Sequence, residues 1–243
     1  MKQGSVTRVV CFFMAMIWSM AACSIAAAAK APAKPTTRMI ALTFDDGPSN
    51  ANTAKILDIL EVNGARATFF VIGSLLAQNA ETARRAQRIG CEIGNHTYDH
   101  KTWTGLTCAS IITQVKQTDE VIERVLGSPC ALVRAPGGHC CGQGALVGRP
   151  LILWSIDTED WKYGANKNGN TAENREKVIR AATENVRDGD IILMHDIYAF
   201  TAQCCETIVP RLQAQGFELV TVSEMMRRRC IEMHSGDVYC SAR

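Results

Sequence analysis

The chain has 243 residues, 47% of them hydrophobic, with 26 basic against 24 acidic side chains. That apolar content suffices for one large core or a pair of small ones, and the near-neutral balance excludes nucleic acid or an anionic membrane as an electrostatically recruited partner. Removing residues 1–29 deletes Lys2 and Arg8 and no acid, which leaves 24 against 24.

Residues 1–29 open on that basic pair and continue as VVCFFMAMIWSMAACSIAAAA, an apolar run that ends in small residues. This is the layout of a secretory signal peptide, cleaved near Ala27 to Ala29. A lipid anchor at Cys23 is the minor alternative, because Met20 is an unusual opening residue for a lipobox. Residues 30–37, KAPAKPTT, read as a linker. With this export signal and no transmembrane span visible in the mature chain, the expected location is periplasmic or secreted, with lipid anchoring as the alternative. Of eleven cysteines, Cys11 and Cys23 fall in the leader; nine remain, at 91, 108, 130, 140, 141, 204, 205, 230 and 240. An oxidising compartment favours disulfides among them, and the absence of CxxC argues against a zinc ribbon.

From Arg38 onward short apolar runs alternate with amphipathic segments. The expected strands are 39–44, 67–71, 91–94, 130–134, 151–155, 190–194 and 217–221, most of them apolar on both faces, as parallel strands covered on each side are. Ile56, Leu57 and Leu60 mark one helical face. Ile111, Val115, Thr118, Ile122 and Val125 mark a second, and Val178, Ile179, Ala182 and Val186 a third. The alternation predicts βα units around a parallel sheet, either a barrel that closes short of eight strands or an open doubly wound sheet. The chain reads as a single α/β domain over 38–229 with a cysteine-bounded tail, 230–243.

In a βα barrel the chemistry gathers at the C-terminal ends of the strands, and polar residues recur there. Asp45 and Asp46 follow the first strand, and His96 and His100 follow the third. Arg134 ends the fourth, Asp157 and Asp160 follow the fifth, and His195 follows the sixth. Two histidines four apart on a helix would share a face and reach one metal; alone, such a pair is more often surface decoration. One Asp with two His makes a three-ligand set, and a second, adjacent carboxylate is then free to move a proton. The competing reading of TFDDGPS is a turn whose Asp caps the helix starting near Asn52. His195 by itself would be taken as structural; a carboxylate at a neighbouring strand end would raise its pKa and suit it to be an acid. His139 and His234 gain no such support and read as loop or surface residues.

The motifs TFDDGPS, ATFFVIG, EIGNHTYDH, DTEDW, GDIILMHD and VPRLQAQGFELVTVSEM, in this order, resemble the polysaccharide deacetylase family, carbohydrate esterase family four, also called the NodB-homology domain. The resemblance covers roughly residues 38 to 226. It implies a distorted (β/α)7 barrel and one divalent metal, usually zinc with cobalt or nickel as alternatives, on Asp46, His96 and His100. It further implies Asp45 as general base, His195 as general acid, Arg134 steadying the base and Asp160 tuning the acid. Leu193 and Trp161 would line the pocket for the acetyl methyl. The expected reaction is N-deacetylation of N-acetylglucosamine units in peptidoglycan, chitin or a related glycan. O-deacetylation of a polysaccharide such as acetylated xylan, and a catalytically silent glycan-binding relative, are the alternatives.

One motif departs from the pattern. The family's Arg-x-Pro-Tyr-Gly appears here as RAPGG, with Gly137 where an aromatic is common. Glycine keeps the backbone N–H used at the oxyanion, loses the ring beside the sugar and adds backbone freedom. The Cys-Cys pairs at 140–141 and 204–205 are expected in two loops at the catalytic face, where a disulfide between them would restore rigidity. Cys230 and Cys240 are expected to close a C-terminal hairpin around Gly236-Asp237.

Overall fold

Strand 39–44, the most apolar of the expected set, organises the fold. The computed structural model describes Met1 and residues 37–140 and 144–243; the leader, Cys23, all of the linker but Thr37, and Cys141 lie outside the described residues. Within them the elements run β1 (Arg38–Asp45), α1 (Asn52–Val62), β2 (Thr68–Val71), α2 (Gly73–Leu76), α3 (Ala80–Arg88), β3 (Glu92–Asn95) and α4 (Cys108–Leu126). A 3-10 turn (Pro136–Gly138) leads to α5 (Gly144–Val147), β4 (Leu151–Ile152), β5 (Ile156–Asp157), α6 (Asp160–Gly164), α7 (Ala172–Thr183) and β6 (Ile191–His195). Then come α8 (Ala199–Ala214), β7 (Phe217–Leu219), α9 (Val222–Arg228) and β8 (Val238–Tyr239).

All strand pairs are parallel. The order β3-β2-β1-β6-β5 forms one sheet, and β7 pairs with the start of β1. Single bridges from Val133 reach Asn95 on one side and Leu151 on the other. The segment carrying β4 and β5 thus runs from Val133 across to β6, and the ring closes as a distorted α/β barrel.

Two-residue alternation decides what faces the axis. On β1, Ile40, Leu42 and Phe44 point outward into the apolar layer beneath the helices. Met39 and Ala41 join Phe70, Leu132, Ile152, Ile191 and Val220 in an inner cluster. The same parity turns Thr43 and Asp45 inward. On β3 it turns Gly94 inward, where the Phe70 ring leaves no room for a side chain: a Cβ at 94 would stand 2.5 Å from it.

Several expectations are corrected here. The strand at 130–134 is reduced to Val133, which bridges Asn95 and Leu151, with Leu132 and Arg134 bonded to Asn95 on one side only. The run 151–155 breaks after Ile152 and resumes as β5. Cys204 and Cys205 lie on α8, not in a loop, as fully buried free thiols in the outer layer rather than at the catalytic face. Cys230 and Cys240 are free and exposed as well. The tail between them forms no hairpin; β8 instead adds to β4 in parallel, and Ala242 is buried against the Gly189 carbonyl. No helix among the described residues is long and apolar enough to cross a membrane.

Candidate active site

The β1–β6 ladder pairs Asp45 directly with His195. Both side chains face the axis at the C-terminal rim, one carboxylate and one imidazole on neighbouring strands. The next residue, Asp46, leaves the strand with φ 76°, a left-handed backbone that non-glycine residues seldom adopt. That turn swings its carboxylate toward β3 and the loop after it. Asp46 does not cap α1: the N-cap is Ala51, without a side-chain bond.

His96 and His100 occupy a loop rather than a helix, which corrects the geometry inferred from their spacing. Thr97 and His100 take φ 66° and 60°. The loop is shaped by the Asn95 Oδ1, which accepts from Thr97 N–H at 2.8 Å, and by Gln114 of α4, which accepts from the N–H groups of Tyr98 and Asp99. The two rings end 5.0 Å apart. His96 Nδ1–H donates to the Arg134 carbonyl at 2.8 Å, which leaves the Nε2 lone pair facing Asp46.

Asp46 Oδ1 stands 3.5 Å from His96 Nε2 and 3.1 Å from His100 Nε2. It is buried, yet no donor is aligned on it. One ligand atom from each residue falls within 4.8 Å of the others, the only such three-residue group among the described residues. Converging lone pairs around a buried, unsatisfied oxygen fit a divalent cation. Burial opposes the charge on Asp46, but His96 beside it, with His100 and His195, holds its pKa at about 2.

Asp45 has two unlike oxygens. Oδ1 accepts from Arg134 Nη1 at 2.7 Å, and Oδ2 lies 3.6 Å from His96 Nε2. Arg134 is fully buried. It also donates to Thr43 Oγ1 and to the carbonyls of Ile152 and Leu153, and its guanidinium sits 4.1 Å above the Phe70 ring. Because this cation compensates a buried carboxylate, Arg134→Met should destabilise the fold by about 3–5 kcal/mol. Denaturant unfolding measures it, and an unchanged midpoint would contradict the pairing.

Asp160 stands in the same relation to His195. Its carboxylate receives four donors: His195 Nδ1–H at 2.8 Å, His195 N–H at 2.8 Å, Thr201 Oγ1–H at 2.6 Å and Trp161 N–H at 2.9 Å. Burial pulls the His195 pKa down; Asp160 first, then Asp45 and Asp46, outweigh it and raise it to about 9. The imidazole is thereby kept protonated, with Nε2–H available to a bound molecule.

These groups surround a cavity of about 360 Å³ lined by Asp45, Asp46, His96, His100, Gly137, Trp161, Leu193 and His195. Arg134 and Asp160 stand behind it. His139 and His234 are exposed and outside it. Trp154, Asp157 and Tyr198 complete the lining, and Trp154 and Tyr198 were not expected there. Trp154 reads as one more core residue of an apolar run; it reaches the cavity because the strand breaks around it. Its ring also lies against Gly138, where a Cβ would be 2.9 Å away, so the wall beside Gly137 is still aromatic, supplied from β4–β5.

The model of the polysaccharide deacetylase family matches residues 33–143. Peptidoglycan-N-acetylglucosamine deacetylase PgdA of Listeria monocytogenes is 38% identical over 195 residues, 80% of this chain. The chain spans only 40% of that relative's length. Chitin deacetylase of Colletotrichum lindemuthianum is 33% identical over 199 residues, which cover 77% of this chain and 79% of that protein. A solved structure of a family 4 acetyl xylan esterase from Clostridium thermocellum, in complex with a cobalt ion, is 28% identical with a TM-score of 0.76, covering 84% of this chain and 98% of that one.

Proposed function

Because the chain belongs to the polysaccharide deacetylase family, we propose that it hydrolyses the acetamide of N-acetylglucosamine units in a cell-wall glycan to acetate and a free amine. The observation that carries this reading is the convergence on one cavity of a carboxylate with one oxygen to spare, a cation-fitting triad and a carboxylate-backed imidazole. Asp46, His96 and His100 are the proposed ligands, for zinc in the first place. A cation there would supply a Lewis acid for the acetamide carbonyl and for the attacking water.

The chain's own groups do the rest. Asp45 takes the proton of the attacking water, Arg134 keeping its Oδ1 engaged. The backbone N–H of Gly137 is offered to the carbonyl oxygen as negative charge develops there. His195 passes its Nε2 proton to the amine nitrogen as the C–N bond breaks, and Asp160 holds the ring in register. Leu193 and Trp161 take up the acetyl methyl.

The peptidoglycan and chitin activities named for the relatives support an N-acetylated glycan as substrate, outside the cytoplasm, and the leader at 1–29 supports export. The likeness to an acetyl xylan esterase keeps O-deacetylation as a second reading. Parallel assays on chitooligosaccharides, peptidoglycan and acetylated xylan separate the two. The proposal expects acetate matched by an equal amount of new free amine from an N-acetylated polymer. Acetate from xylan alone would replace it with the esterase.

A further inference from the structure

Asp196 follows His195 in sequence and takes no part in the chemistry above, yet it is only 1% exposed. It lies beneath the turn that carries Asp46. A Cβ at Gly47 would stand 2.2 Å and 2.4 Å from the two Asp196 carboxyl oxygens, so the carboxyl occupies the space that any other residue at 47 would need. Thr53, in the first turn of α1, donates its hydroxyl to Asp196 Oδ2 at 2.5 Å and accepts from Ser49 N–H at 2.7 Å. The Asp196 N–H reaches the Asp45 carbonyl at 3.4 Å. From the opposite side, Ile72 N–H donates to the Gly47 carbonyl at 2.9 Å. The second oxygen, Oδ1, is buried without a partner. Burial, then the nearby charges of Asp46 and Asp45, push this carboxyl up to about 7 in spite of the Thr53 hydroxyl.

A left-handed aspartate is strained and persists only where its surroundings over-determine it. Ligand atoms must also be held to within about 0.5 Å to bind a cation well. Asp46 meets both conditions only if the turn after it is fixed. We propose that Asp196 is a positioning residue for this turn. With Thr53 and Ser49 it clamps residues 46–49 from below, and so sets Asp46 against His96 and His100. The inference rests on Asp46 being a cation ligand.

Cobalt titration of the full chain, followed by calorimetry and by the visible cobalt absorption, tests it, with thermal melting run on every variant. Asp196→Ala should weaken cobalt affinity by about 10–100-fold, the loss seen when groups that orient ligands are removed, and should change the absorption band. Thr53→Val, which keeps the volume and removes the hydroxyl, should weaken affinity in the same direction. Asp196→Asn, which still accepts from Thr53 and fills the same space, should stay close to wild type. Wild-type affinity and spectrum in both Asp196→Ala and Thr53→Val would overturn the proposal. So would Asp196→Asn as weak as the alanine variant, since buried charge and not the clamp would then be required. If Asp196→Ala does not fold, Thr53→Val decides alone. Asp46→Asn is the control: undiminished cobalt affinity there refutes the ligand assignment itself, whereas its loss with wild-type affinity in Asp196→Ala and Thr53→Val refutes only the clamp.

Discussion

Asp45→Asn should lower acetate release by about 10²–10⁴-fold, the range of a lost general base, while cation affinity stays near wild type. An asparagine keeps a carbonyl oxygen for Arg134, so the bond now 2.7 Å long and the packing on Phe70 are retained. The group left toward the cavity is then an amide N–H₂, which cannot accept a proton from water. Asp46→Asn differs in kind. It removes a negative ligand from the triad with His96 and His100, so cation affinity falls first and activity falls with it. Equal cation loss in the two variants would contradict the division of labour between adjacent aspartates.

Asp160→Asn should move the alkaline limb of the pH–rate profile downward by at least a unit and cut turnover above neutral pH by about 10²–10⁴-fold. The sign follows from the charges. His195 carries a pKa raised to about 9 by Asp160 and, more weakly, by Asp45 and Asp46, against the effect of its burial. The proton to be donated is present below that pKa and lost as pH rises through it, and a cation on Asp46 moves the limb lower. With Asp160 neutralised the burial remains and its main counterweight is gone. Part of the lost rate should therefore return at acidic pH, which a purely structural defect would not show. A pH-independent loss would contradict the assignment of His195 as acid.

How much of this could be read from residues depends on the range of the forces involved. Asp45, Asp46 and His195 were legible because apolar strands end abruptly in polar groups, and strand parity then turns alternate residues inward. The pairing of Asp45 with His195 across β1–β6 follows once the strands are aligned. The conformation around His96 was not legible. Spacing suggested a helix, but Gln114, from a helix that starts eight residues after His100, captures two backbone N–H groups and holds a loop. The strand at 130–134 looked as apolar as its neighbours, yet only Val133 is bridged on both sides. Trp154 resembled core because nothing local marks the break between β4 and β5. Asp196 carries no signal of its own in the sequence; only the approach of Gly47 and Thr53, far away in sequence, shows what its carboxyl touches.

The most direct test of the account is acetate release from an N-acetylchitooligosaccharide by the full chain, first stripped with a chelator and then given back one equivalent of zinc. The account predicts no acetate from the stripped protein, recovery at one equivalent with free amine formed in step, and no recovery in Asp46→Asn under the same conditions. Full activity in the stripped protein, or acetate without a matching amine, would contradict a single cation-dependent amide-hydrolysing centre at Asp45, Asp46, His96, His100 and His195.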